Sequence, residues 1–153
     1  MTSKAPMGPP IRFSRREAGK QVPWRVLDYE DLHCRASIVW PGEIVAPEAR
    51  ITIRFDYPLG EASERLFKAD DPAGFTRLDF AQCICEGYRA IYAEEDEAFR
   101  DEAPTMPRIL GVVHTTGPHG IHRYRIENLI VEGAFLRGPG VYELRIEGSS
   151  GQP

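Results

Sequence analysis

Phe75-Thr76-Arg77-Leu78-Asp79-Phe80-Ala81-Gln82-Cys83-Ile84-Cys85-Glu86-Gly87-Tyr88-Arg89-Ala90-Ile91-Tyr92 is the stretch whose reading decides the fold. Its first residues spell a helix start. Thr76 is a good N-cap, and Asp79 stands three residues later, where a carboxylate reaches back to the N-cap amide. Phe75 before the cap and Phe80 after it have the spacing of a hydrophobic staple. At about 100° per residue, Phe80, Ala81, Ile84, Cys85, Tyr88, Ile91 and Tyr92 share one sector, with Asp79, Gln82, Glu86 and Arg89 opposite. The pattern predicts one long amphipathic helix over residues 77–99, packed on a sheet through a single face. Gly87 lies at the flank of that face, where it admits a close neighbour.

The strands are read on either side of the helix. Upstream, Ile51, Ile53, Phe55 and Tyr57 alternate with Thr52, Arg54 and Asp56, which predicts a half-buried strand over residues 50–57. Pro58 and Gly60 turn the chain, and residues 63–69 return as the second arm of a hairpin. Residues 34–40 read as an earlier strand, ended by Pro41-Gly42. Downstream, strands are expected over 109–116, 121–126, 129–136 and 141–147, with turns at Gly117-Pro118-His119-Gly120 and Arg137-Gly138-Pro139-Gly140.

The fold class expected is α+β: a mainly antiparallel sheet of about five to seven strands on one long helix. A hairpin running into a helix and then into further strands resembles the element order of ubiquitin-like β-grasp folds. That resemblance is one of order alone.

The chain of 153 residues suits one domain that buries a core without disulfides. No apolar run approaches the ~18 residues of a membrane helix. Residues 1–10 lack the apolar stretch of a secretory signal, so the expected location is cytoplasmic. Three cysteines, an odd number, fit reduced thiols.

Charge is unevenly spread. Residues 1–25 hold Lys4, Arg12, Arg15, Arg16, Lys20 and Arg25 against Glu17 alone. That excess of +5 leaves −9 on the remainder of a chain of net charge −4. With Pro6, Pro9, Pro10 and Pro23 as breakers, residues 1–24 read as a flexible basic arm before a single domain at 25–148 and a mobile tail at 149–153. The arm has two places to dock, the body through Phe13 or Trp24, or a partner. The helix ends in the acidic run Glu94, Glu95, Asp96 and Glu97, where the helix dipole favours cations, and this suggests a surface for a basic partner.

Chemistry has one candidate cluster. His114, His119 and His122 lie within nine residues across a turn, with Tyr124 nearby, and converging imidazoles bind metals or move protons. Their spacing matches no zinc signature. Cys83 and Cys85, two apart on a helix, point about 200° apart and cannot share a metal. No nucleophile elbow, phosphate loop or dinucleotide fingerprint occurs, and no cofactor or metal is expected.

The leading expectation is therefore a non-catalytic protein–protein interaction module, a scaffold or adaptor. Its expected contacts are Phe13, Arg15, Arg16 and Trp24 on the arm and Glu94, Glu95 and Glu97 on the body. A small enzyme or ligand-binding protein with a site at His114, His119, His122 and Tyr124 is the first alternative. Nucleic-acid binding through the arm is the second. Another copy of the chain is also open as a partner, since uncovered sheet edges invite one.

Overall fold

The computed structural model describes residues 8–100, 119–121 and 125–148. Its elements, in chain order, are β1 (Ile11–Arg12), β2 (Ser14–Glu17), β3 (Lys20–Arg25), α1 (Leu32–Ala36), β4 (Ile44–Ala46), β5 (Arg50–Phe55), β6 (Ser63–Lys68), β7 (Phe75–Thr76), α2 (Arg77–Arg100), β8 (Leu129–Gly138) and β9 (Val141–Gly148).

Helix α2 begins as its sequence dictates. The Thr76 N–H donates to Asp79 Oδ2 at 3.0 Å, and the Asp79 N–H donates to Thr76 Oγ1 at 3.0 Å, a reciprocal capping box. Phe75 and Phe80 are both buried beside it. The apolar sector of α2 meets the sheet: Tyr88 packs edge-on against Phe55 with ring centroids 5.0 Å apart, and Phe80 against Tyr142 at 5.3 Å. A Cβ on Gly87 would lie 2.1 Å from Phe55 Cζ, so the bare backbone there is what lets the ring approach the helix.

Among the described residues, seven strands form one sheet in the order β2-β3-β8-β9-β5-β6, with β1 also paired to β8. The expected hairpin is present as β5 and β6, in register from Arg50 opposite Lys68 to Phe55 opposite Ser63. The last two expected strands pair as β8 and β9, with a register shift between Val131 and Gly133. The sheet is mixed, which corrects the expectation of a mainly antiparallel one. Strand β9 runs parallel to β5, with Thr52 opposite Val141 and Ile53 opposite Tyr142. Its cause is long-range: α2 carries the chain across the sheet before the second hairpin forms, so the last strand enters beside the first of the earlier hairpin. A second, two-stranded sheet pairs β4 with β7.

Two local expectations are also corrected. Residues 34–40 do not form a strand, because the Asp31 side chain accepts the Cys34 N–H at 3.0 Å and caps the short helix α1. Of the strand expected over 121–126, Ile121 forms an isolated bridge to Leu59, Ile126–Asn128 is a 3-10 turn, and residues 122–124 lie outside the described residues. The strand expected over 109–116 lies outside the described residues.

Residues 11–24, read as part of an arm, contribute three strands to this sheet. Ile11 pairs with Ala134 and Trp24 with Val131. Docking on the body through Phe13 and Trp24 is the arrangement found: Trp24 is fully buried, and the Phe13 ring lies 5.9 Å from that of Phe80. Gly133 permits the approach of β1, since a Cβ there would sit 2.8 Å from the Ile11 carbonyl oxygen.

Candidate interaction surface

The segment after α1 is built from the start of α2 outward. The first amides of a helix lack partners within it. Here the turn Trp40–Glu43 supplies two: Leu78 N–H donates to the Pro41 carbonyl at 3.1 Å, and Arg77 N–H to the Glu43 carbonyl at 2.8 Å. The Arg77 guanidinium adds three more bonds, to the Arg12 carbonyl at 2.9 Å, the Trp40 carbonyl at 3.0 Å and Glu43 Oε1 at 2.7 Å. On its other side the segment is tied to β2, with Arg16 N–H on the Ser37 carbonyl and Val39 N–H on the Ser14 carbonyl, both 2.9 Å.

On this fixed turn stands Trp40. Its side chain is 70% exposed, and its backbone holds φ at +51°. A bulky residue in the left-handed region is strained and persists only where its surroundings impose it. Ile44, also exposed, follows the same turn, and the exposed Arg16 flanks it on β2. The sequence placed Trp40 at the end of a strand and did not single it out. The signal that marks it is Trp40-Pro41-Gly42, which puts a tryptophan on a turn.

The expected contact residues are placed differently. Phe13 and Trp24 are core residues. Arg15 is largely covered and pairs with Glu17 at 3.3 Å and Asp28 at 3.5 Å. Arg16 and Glu97 are exposed. The acidic run and the histidine turn, read as separate candidates, come together. Glu94 receives a two-pronged bond from Arg65, at 2.7 and 3.0 Å, and lies 2.7 Å from His119 Nε2. Glu95 is buried and accepts the His119 and Gly120 amides. His114, His122 and Tyr124 lie outside the described residues. Among the described residues no three potential metal ligands converge.

The Arg65 bonds, with His119 behind them, pull the Glu94 carboxyl down to about 2 from 4.5. A carboxyl lowered by folding stabilises the protein above its unfolded pKa, and that contribution is lost as pH falls from about 4.5 towards about 2. Glu94→Gln is therefore expected to flatten the acid limb of a stability–pH curve in that window, measured by urea unfolding. The effect is small, because the Glu94 side chain is 47% exposed and screened by solvent. An unchanged acid limb would show that the pair contributes nothing.

The thiols offer little nucleophilic chemistry. Burial pushes Cys83 and Cys85 up to about 12, and Cys34, half-buried, is also raised by burial. Cys85 instead donates to Glu30 Oε2, and the same carboxylate takes a two-pronged bond from Arg89, Nε to Oε2 and Nη2 to Oε1. Among the described residues no helix is long and apolar enough to cross a membrane. No family model, curated protein or solved structure matches the chain.

Proposed function

We propose that this chain is a non-catalytic protein–protein interaction module, and that Trp40 is its main anchor. The observation carrying this reading is an exposed tryptophan held in a strained backbone conformation by a turn fastened to both α2 and β2. Strain at an exposed aromatic serves no packing purpose, whereas a preordered ring loses little entropy on binding. Tryptophan buries about 150–250 Å² in a contact and is enriched among residues that dominate binding energy. The complementary surface on the partner is an apolar pocket. Arg16 and Ile44 serve as its rim contacts, and Glu97 remains a candidate contact on the helix.

A β-grasp-like kernel is part of the same proposal. It is supported by two hairpins, β5–β6 and β8–β9, on either side of α2, and by the parallel contact of β5 with β9.

The test compares wild-type and Trp40→Ala baits in lysate with and without nuclease, followed by titration of the purified partner by calorimetry. Replacing Trp40 is expected to weaken binding by about 30-fold or more, equivalent to about 2 kcal/mol, while leaving the melting temperature nearly unchanged. Equal affinity for both baits would overturn the assignment. Capture lost on nuclease treatment would transfer it to nucleic acid.

A further inference from the structure

Among the described residues, strand β6 ends the sheet and only β5 pairs with it, in the order that runs from β2 to β6. The backbone parity of its outer side follows from its neighbours. Thr52 donates its N–H to the Gly140 carbonyl at 2.7 Å, so its backbone groups face β9. Thr52 stands opposite Leu66. In an antiparallel ladder hydrogen-bonded and non-bonded pairs alternate. The N–H and C=O of Glu64, Leu66 and Lys68 therefore point to the uncovered side. The bond from Ala69 N–H to the Ala49 carbonyl, 2.8 Å, has the same parity.

The side chains of these three residues share a face. Exposure alternates along β6: Ser63, Arg65 and Phe67 are half-buried, while Glu64, Leu66 and Lys68 are exposed, Leu66 at 67%. Across the sheet on that face runs a row of alternating charge. Arg137 bonds Glu143 at 2.5 Å, Glu143 lies 3.7 Å from Arg54, and Arg54 lies 3.4 Å from Glu64. The row stops at the edge on an anion. Four residue pairs along, Arg50 stands directly opposite Lys68, two cations on neighbouring strands, an unfavourable arrangement. Among the described residues the charged row closes on an anion at one end of the edge, two cations face each other at the other, and an exposed leucine lies midway.

We propose that β6 is a self-complementary edge on which a second copy of this chain adds its own β6, antiparallel, about a two-fold axis at Leu66. That register sets Leu66 against the second copy's Leu66. It sets Glu64 against the second copy's Lys68, and Lys68 against its Glu64. All three pairs are of the hydrogen-bonded kind, since the outward-facing backbone groups of both strands belong to the same residues. The partner's lysine extends the charged row, and its glutamate gives Lys68 an anion on the side away from Arg50. Isologous contacts of this kind close after two copies. An edge lysine ordinarily guards against pairing, but here the register places an anion opposite it. The contact leaves the Trp40 turn accessible, because that turn lies along β2 at the other end of the sheet.

Sedimentation equilibrium of the full chain, at concentrations up to about 1 mM and at low salt, is the test, with the charge reversals Glu64→Lys and Lys68→Glu alongside. Wild type is expected to dimerise. Each reversal alone places like charges at both ends of the interface and is expected to weaken dimerisation at least about tenfold. An equimolar mixture of the two variants restores every opposite-charge pair, and is expected to form a heterodimer of near wild-type strength. This rescue separates a lost contact from a damaged fold, which circular dichroism of each variant checks. A wild type that stays monomeric throughout, a dimer indifferent to both reversals, or folded variants that fail to complement each other would each overturn the proposal.

Discussion

A chain beginning at residue 25 is expected not to reach the native fold, and Trp24→Ala in the full chain is expected to cost about 3–5 kcal/mol. Trp24 is fully buried and paired to Val131, and Phe13 is buried against Phe80. Deleting residues 1–24 removes both rings, strands β1 and β2, and nearly all of β3. It also uncovers the β8 edge. Against a total stability of typically 5–15 kcal/mol, a loss of that kind leaves little folded protein. Urea unfolding followed by circular dichroism checks both variants. Cooperative unfolding of the 25–153 chain at the wild-type midpoint would show that these contacts contribute nothing. The same result bears on function: a truncation that loses a partner would report on folding, whereas Arg16→Ala, at an exposed position, reports on contact.

The local parts of the fold were legible. The start of α2 was readable because a capping box and a staple are made within six residues, and Gly87 because its neighbours on the helix face are apolar. The β5–β6 hairpin was readable because Ile51, Ile53 and Phe55 alternate cleanly. What depends on distant residues was not. Nothing near Thr52 announces that Val141 will lie parallel to it. The prolines at 9, 10 and 23 read as breakers, yet they sit just before or within short strands, where a sheet tolerates a missing donor. Trp24 read as free for a partner because its strand partner, Val131, is more than a hundred positions away.

The candidate site was less legible, for a related reason. Trp40 appeared as one apolar position in an alternating run, since Ile38 is indeed buried. Only the Asp31 cap, which turns residues 32–36 into a helix, breaks that run and leaves Trp40 on a turn. The convergence of Arg12, Glu43 and Arg77 that fixes the turn joins three separate parts of the chain. No spacing rule encodes it.

Among the crowded carboxylates near the end of α2, one is expected to matter far more than the rest. Glu95→Ala should cost about 2–5 kcal/mol, while Glu97→Ala, at an exposed position, should stay within about 0.5 kcal/mol. Glu95 is 1% exposed, and its two oxygens accept different amides, His119 at 2.8 Å and Gly120 at 3.2 Å. Those residues in turn hold the loop after the β5 strand: the Gly60 N–H reaches both the His119 and Gly120 carbonyls at 2.9 Å, and Leu59 bridges Ile121. Removing the carboxylate leaves two covered donors without acceptors, and such groups are expensive because neither water nor protein replaces the lost bond. Glu95→Gln keeps one acceptor and turns an amide donor towards the other N–H, so it should fall between wild type and Ala. Hydrogen exchange adds a local readout: the His119 and Gly120 amides should exchange faster in Glu95→Gln, with the β5 amides unchanged. Equal stability of the Ala variants at 95 and 97 would mean that the acidic run is, after all, a uniformly solvated helix end. A large difference would separate one buried structural carboxylate from the exposed carboxylates beside it.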